Sequence, residues 1–463
     1  MRIRAIFSNG VGILTSRILG FVRDMLMAST LGVNIFSDIF AIAFKLPNLF
    51  RRIFGEGAFV QSFMPSFVAS SNKAVFSTAI VLRFLLFIIV GSLLVNLFAP
   101  YATKAIAIGF DAETVALAAP LVAINFWYLD LIFLVTFLAT LLQYKEHFAT
   151  TAFSTSLLNI SMIGALLLYA KEEPYTIVYA LSFAVLIGGV LQLIVHLIAI
   201  KKFNLHRLLI GGWKYRKSKD VSKDTSKFKS QFLPAIWGNS TAQIAAFLDT
   251  WMASFLVTGS ISYLYYANRV FQLPLALFAI ATATALFPTV SKALKANRQS
   301  DAYANLSKAF WILAFTLGFA MIGGVVLSEF IVWLLYERGA FTHTDTLNSA
   351  WILLMYMVGL LPFGLAKLFS LFLYASHRQG TAAKIASVSL VVNVLLSLIL
   401  MQYMGAAGLA LASSIGGWVL FVLTLQAVGW HHLTDILKSK YSLYFVVAMP
   451  TFALLLLMIK SLF

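Results

Sequence analysis

Read for hydrophobic and polar positions alone, the chain is a succession of long apolar runs separated by short polar breaks. A helix needs about 20 apolar residues to cross a bilayer. On that measure the sequence predicts about thirteen spans, at roughly 5–31, 35–70, 78–100, 113–143, 148–170, 174–200, 230–257, 261–292, 304–336, 346–376, 381–402, 406–430 and 441–461. The runs are continuous and do not alternate at period two, so helices are expected and a β-barrel is not. Every second break is basic: Lys73; Lys145; the tract 201–229; Lys292, Lys295 and Arg298; Arg378 and Lys384; Lys438 and Lys440. The other breaks are short or of mixed charge. By the positive-inside rule the N-terminus and the basic breaks face the cytoplasm.

Two of the runs are anomalous. Arg17, Arg23, Asp24, Asp38, Lys45, Arg51, Arg52 and Glu56 all fall within the first two spans. A charge at the bilayer centre costs roughly 2.5–3.5 kcal/mol even on the lenient insertion scale, so these side chains are expected to line a polar chamber and not face lipid. Cations exceed anions in the set, and arginine grips phosphate oxygens with a planar donor fork, which suits an anionic substrate. For Lys45, Arg52 and Glu56 a place at a helix end, reaching the headgroups, is an equal alternative.

An internal repeat organises the rest. Asp24 and Met27-Ala28-Ser29 align with Asp249 and Met252-Ala253-Ser254. Leu46-Pro47 aligns with Leu273-Pro274, Ser156-Leu157-Leu158-Asn159 with Ser389-Leu390-Val391-Val392-Asn393, and Ile187-Gly188-Gly189 with Ile415-Gly416-Gly417. Matches in the same order over that length mark a duplication. Six spans per copy is an even number, so the copies share one orientation and are related by an axis along the membrane normal. The expected fold is an all-α polytopic membrane protein: a six-helix lobe over 1–200, a basic cytoplasmic linker over 201–229, a second six-helix lobe over 230–430, and a loop with one extra helix over 431–463. Midspan Pro47, Pro120, Pro274 and Pro362 are expected to interrupt their helices.

Composition narrows the function classes. The chain is 61% hydrophobic and 11% charged, too apolar for a soluble domain. Its net charge of +17 is spread between spans and not along one face, which argues against nucleic acid. With no cysteine, thiol chemistry and disulfides are excluded, and the seven histidines lack metal-ligand spacing. No cleavable signal is expected, because Arg17 and Arg23 interrupt the first apolar segment. A membrane-embedded glycosyltransferase or polymerase would want a sizeable outer loop rich in carboxylates, and the outer loops here are short. In the second lobe the isolated acid Asp249, with Asn393, Ser397 and Ser413, makes a candidate sodium or proton site, since a lone intramembrane carboxylate is either a cation ligand or a proton carrier. A protonated Asp249 bonded to a neighbouring helix is the plainer alternative.

The residues then show a resemblance. SRILGFVRD at 16–24, the stretch from Asp38 to Phe59, SLLNISMIG at 156–164 and YERGAFT at 336–342 resemble the MurJ/MviN family, over essentially the whole chain. That family comprises lipid II flippases of the multidrug/oligosaccharidyl-lipid/polysaccharide exporter superfamily. The resemblance implies movement of lipid II, the undecaprenyl-diphosphate-linked peptidoglycan precursor, from the inner to the outer leaflet of the bacterial cytoplasmic membrane by alternating access. It implies no enzyme activity and no cofactor beyond a coupling cation; the basic tract 201–229 is expected to lie on anionic headgroups, and a monomer is expected. By motif, Arg17, Arg23, Asp24, Asp38, Arg51 and Arg269 match the family's substrate-binding cavity. An exporter of another polyprenyl-diphosphate-linked oligosaccharide, or of drugs, would share the fold. This chain departs from the family at Asn268 and Gln272, where acids are common, at Ser397, where an acid is usual, and in having one span beyond the repeat where many members have two.

Overall fold

The computed structural model describes residues 3–50, 58–217, 220–296, 298–376 and 378–461. The first copy of the repeat supplies ten helices: α1 (Ile3–Leu31), α2 (Ile35–Phe50), α3 (Val60–Ala69), α4 (Lys73–Leu97), α5 (Ala99–Ile106), α6 (Ala112–Phe126), α7 (Tyr128–Tyr144), α8 (Ala149–Leu168), α9 (Pro174–Lys202) and α10 (His206–Lys214). The second copy supplies ten more: α11 (Ser222–Ala253), α12 (Ser260–Pro274), α13 (Ala281–Lys295), α14 (Gln299–Val326), α15 (Ser328–Tyr336), α16 (His343–Met357), α17 (Leu360–Ala375), α18 (Gln379–Met404), α19 (Ala406–Val428) and α20 (Trp430–Leu437). The last helix, α21 (Tyr441–Lys460), stands outside the duplication. The expected spans fall on these helices over the described residues; 51–57 of the second span lie outside them.

Each helix of the first copy has its counterpart ten elements later. The third and fourth spans are broken after Leu97 and at Trp127, and the ninth and tenth after Val326 and at Val358-Gly359. The packing repeats as well. α8 lies on α9 as α18 lies on α19; α2 meets α6 as α12 meets α16; α4 and α9 meet α7 as α14 and α19 meet α17. Glycine pairs allow this approach: a Cβ on Gly188 would stand 2.8 Å from the Leu158 backbone, and one on Gly417 2.6 Å from Phe363. Small residues are how membrane helices come into close contact without a hydrophobic driving force.

Only some prolines act as expected. Pro274 closes α12 and is followed by a π-helical turn, Leu275–Ile280. Pro362 is the third residue of α17, just past the break, whereas Pro47 and Pro120 are carried inside α2 and α6. The carbonyls freed at the breaks find side chains. Ser414 Oγ donates to Met355 O at 2.6 Å, Trp418 Nε1 to Val358 O at 3.3 Å, and Asn96 Nδ2 to Ala123 O at 3.2 Å. In lipid each such group left bare would cost several kcal/mol.

The chain divides into two compact units, Met1–Phe255 and Leu256–Phe463. The division falls one helix beyond the repeat boundary, so α11, grouped with the second lobe by sequence, packs in the first unit against α2, α3 and α4. Aromatic side chains explain its place. Phe228 and Phe232 of α11 set their rings edge-on to Phe84 at 5.8 and 5.0 Å, and Phe228 meets Phe59 and Phe76 in the same way. Such pairs add about 0.5–1.5 kcal/mol each to the area they bury. At the other end of α11, Ser254 Oγ accepts from Gly109 N at 3.0 Å, and a Cβ on Gly109 would lie 2.3 Å from Ser254 O. In the second unit α21 packs on α14, with Met449 and Phe445 filling the space over Gly318.

Candidate functional site

Among the described residues, nine helical stretches are long and apolar enough to cross a membrane: 73–97, 112–144, 149–168, 174–202, 299–326, 343–375, 379–404, 406–428 and 441–460. The four expected spans missing from that set are the first two of each copy, formed by α1, α2 with α3, α11, and α12 with α13. Length accounts for part of this, since α2, α3, α12 and α13 have 16, 10, 15 and 15 residues, whereas in α1 and α11 charged residues interrupt the run. These helices carry Arg17, Arg23, Asp24, Asp38 and Arg269, five of the six residues expected to bind substrate.

In the first unit the centre of that region is a buried ion pair. Arg23 and Asp24 on α1 are 5% and 2% exposed. The Arg23 fork donates through Nε and Nη2 to Asp24 Oδ1 at 3.0 and 2.6 Å, and through Nη1 to Asn159 Oδ1 of α8 at 2.9 Å. Asn159 is itself held, since its Nδ2 donates to Ser16 O at 3.0 Å. The guanidinium is thus aimed by a carboxylate and an amide, and its Nη1 also lies 3.9 Å from Met162 Sδ. Asp38 is 2% exposed in the first turn of α2, behind Asn34, whose Oδ1 accepts from the N–H groups of Phe36 and Ser37 at 2.9 and 3.1 Å and so caps that helix. Lys45, one of the residues that could have reached the headgroups, is half-buried on α2 and donates to Thr250 Oγ1 of α11. Arg17 is exposed, two helical turns before Asp24 on the same face of α1. Arg51, with Arg52 and Glu56, lies outside the described residues.

In the second unit Arg269 is half-buried on α12, its guanidinium 4.9 Å over the Tyr265 ring and its Nη2 donating to Tyr265 Oη at 3.0 Å. Asn268 and Gln272 hydrogen-bond to each other through their amides. Three of the four candidate cation-site residues come together here. Asn393 Nδ2 donates to Ser413 Oγ at 3.0 Å, and Ser397 Oγ donates to Asn393 Oδ1 at 3.4 Å. Asp249, the fourth, is half-buried on α11 and belongs to the first unit.

Asp130 and Lys367 are intramembrane charges that the sequence reading did not single out. Asp130, in the first turn of α7, is 9% exposed; its Oδ2 accepts from Ser92 Oγ of α4 at 2.6 Å, and its Oδ1 is buried with no hydrogen-bond partner. Lys367 is half-buried midway along α17, with no hydrogen bond or ion pair to another described residue. Each is a lone charge in a long apolar run, and that interruption was the signal available.

Two copies of a ten-helix unit, apolar on most spans and charged along the first two of each, define a polytopic membrane transporter built on parallel repeats. A family model described as lipid II flippase MurJ matches residues 27–463. The chain belongs to that family. It is 50% identical over 444 residues to the probable lipid II flippase MurJ of Helicobacter pylori (strain ATCC 700392 / 26695), covering 94% of this chain and 96% of that protein. To the probable lipid II flippase MurJ of Vibrio cholerae it is 31% identical over 445 residues, covering 91% and 82%. A solved lipid II flippase MurJ in an inward closed conformation superposes with a TM-score of 0.80 at 27% identity, over 98% of this chain and 97% of that one. An inward-facing multidrug resistance MATE transporter reaches 0.64 at 14% identity, over 95% and 97%, and shares the fold alone.

Proposed function

We propose that the protein is the lipid II flippase of a bacterial cytoplasmic membrane, a single chain with its N-terminus in the cytoplasm, moving lipid II outward by alternating access. The observation that carries the reading is the buried Arg23, Asp24 and Asn159 cluster in a chain of this family. Nε and Nη2 of the arginine fork both donate to one Asp24 oxygen, and a diphosphate oxygen can take its place, so the substrate can exchange for the carboxylate without Arg23 losing its charge-assisted bonds. Arg17 and Arg269 supply further positive charge on the same polar helices. Binding that favours one of two conformations shifts the equilibrium between them by its differential affinity.

The repeat also supports a cation at Asp249. Asp249 stands where Asp24 does, Asn393 falls in the segment that matches that of Asn159, and Leu248 stands where Arg23 does. The second copy keeps the acid and the amide, with leucine at the position of the arginine. A sodium ion would take oxygen from Asp249, Asn393, Ser397 and Ser413; a proton would need Asp249 alone. The basic linker favours anionic lipids, with α10 presenting Trp213 under Arg216 at 4.0 Å.

Complementation of a flippase-depleted bacterium tests the main reading. Arg23→Ala and Arg269→Ala are expected to insert normally and fail to support growth; normal growth of both variants overturns the assignment. Native mass spectrometry of the purified protein with lipid II, against undecaprenyl diphosphates bearing other sugars, separates this function from export of another polyprenyl-linked oligosaccharide. For the coupling ion, Asp249→Asn should weaken transport and abolish any sodium-dependent rise in thermal stability. A wild type indifferent to sodium counts against a sodium site, with proton coupling then the alternative to test.

A further inference from the structure

At the inner end of the second unit, a cavity of about 370 Å³ opens at the corner where α13 turns into α14. Its wall includes Lys292, Arg298 and Lys308, with Asp301, Asn305 and Thr289 completing the polar part. Arg298 Nη1 meets Asp301 Oδ2 at 3.3 Å, and Asn305 Nδ2 is turned back to Asp301 O at 2.8 Å. Lys292 and Lys308 have no hydrogen bond or ion pair to another described residue. The cavity therefore carries two cations with no ion pair among the described residues.

The depth of the corner identifies what it meets. From Ala309 to Val326 the helix has no charged residue, and the next charge is Glu329. Those residues span about 27 Å at 1.5 Å each, close to the thickness of the hydrocarbon layer. Lys308 therefore marks the level of the lipid headgroups, on the face where basic breaks place the cytoplasm.

The equivalent corner of the first unit, between α3 and α4, is closed by the protein itself. There Ser70 Oγ donates to the Asp224 carboxylate of α11, and Lys73 Nζ donates to Ser70 O at 3.2 Å. One corner thus holds a protein anion beside its lysine. The other holds three cations against one anion, Asp301, which is paired with Arg298, so that neither lysine has an ion pair among the described residues.

We propose that the α13–α14 corner holds the headgroup phosphate of an anionic bilayer phospholipid as a resident ligand, distinct from the transported lipid. Lys292 and Lys308 bind the phosphate oxygens, while Arg298 stays tethered to Asp301 at the rim. Native mass spectrometry of the full-length protein tests this, with phosphatidylglycerol, inorganic phosphate and undecaprenyl diphosphate as separate probes. Wild type should retain a phosphatidylglycerol adduct, and Lys292→Gln with Lys308→Gln should weaken it at least tenfold. Lys292→Arg with Lys308→Arg should keep it. Lys438→Gln with Lys440→Gln, an equal loss of charge at another basic break, should leave it unchanged. The undecaprenyl diphosphate adduct should be the same in all four proteins.

Phosphatidylglycerol binding that survives the glutamine pair, or is lost equally in the Lys438 and Lys440 variant, overturns the site. So does inorganic phosphate that binds as well as the lipid. Loss of undecaprenyl diphosphate in place of phosphatidylglycerol would make the corner part of the transport path and refute a resident phospholipid. If the glutamine pair does not fold, each single glutamine variant must show a partial loss that the matching arginine variant restores; no loss in either rejects the proposal.

Discussion

The Arg23–Asp24 pair allows stability and function to be separated by mutation. Replacing Asp24 with Ala leaves a guanidinium that is 5% exposed with Asn159 as its nearest described acceptor, and breaking a buried pair from one side costs about 3–5 kcal/mol. Asp24→Asn is milder. Its amide oxygen can still accept from Nε and Nη2, which now stand 3.0 and 2.6 Å from Asp24 Oδ1, so the loss is the charge assistance on two bonds, about 1–3 kcal/mol. Removing both charges with apolar groups of similar size, Arg23→Met with Asp24→Leu, should return stability to within about 1 kcal/mol of wild type, because neither ion has to be desolvated. Thermal unfolding in detergent, followed by the fluorescence of the nine tryptophans, reads the order: wild type and the double variant highest, Asp24→Asn lower, Asp24→Ala lowest. Complementation reads the other axis, and there the double variant should fail completely. A stable double variant that supports growth would show the pair to be structural and would refute its exchange with a diphosphate.

Other outcomes follow from particular contacts. Gly109→Val forces the loop before α6 away from Ser254, so a cysteine placed at 254 in this cysteine-free chain should react with a membrane-impermeant maleimide much faster than it does with Gly109 intact; equal rates would show that the contact does not close that end of α11. Ser92→Ala removes the hydroxyl on Asp130 and should lower stability by about 1–3 kcal/mol, a loss that Asp130→Leu in the same protein should reverse, as thermal midpoints will show. Burial holds the His147 imidazole below its usual pKa, with Lys202 acting in the same direction. The unfolded chain then binds the proton more readily, so stability should rise with pH up to about 6.5 and fall as pH drops below it. His147→Gln should flatten that part of a pH series of melting midpoints, and an unchanged slope would assign it to another group.

The spans were legible because lipid demands long apolar runs, and a run of that kind says helix whatever its neighbours do. The duplication was legible through a few matched residues, and the structure extends it to the breaks and the packing partners, which depend on contacts such as Gly417 against Phe363 that no local pattern encodes. Arg23 was found as a cost anomaly, but its partner was not: Asn159 is 136 residues away and looked like part of a repeat signature. Asp130 and Lys367 stand out less because each is a single charge in an apolar run, with no neighbouring charge to mark it, although burial gives it the same weight. The place of α11 in the first unit was hidden for a related reason. Sequence similarity assigns a helix to its copy, and the rings around Phe228 and Phe232 assign it to its neighbours.

That last point bears on how the protein is made. The first unit is complete only when the chain has reached Phe255, although its own copy of the repeat has left the ribosome long before. From the end of α9 at Lys202 to the end of α11 at Ala253 is a wait of roughly 3–10 s at ordinary rates of synthesis. During that time the rings of Phe59, Phe76 and Phe84 have no α11 to pack against, and Lys45 has no Thr250. The two copies cannot mature as independent halves: the first waits for the opening helix of the second.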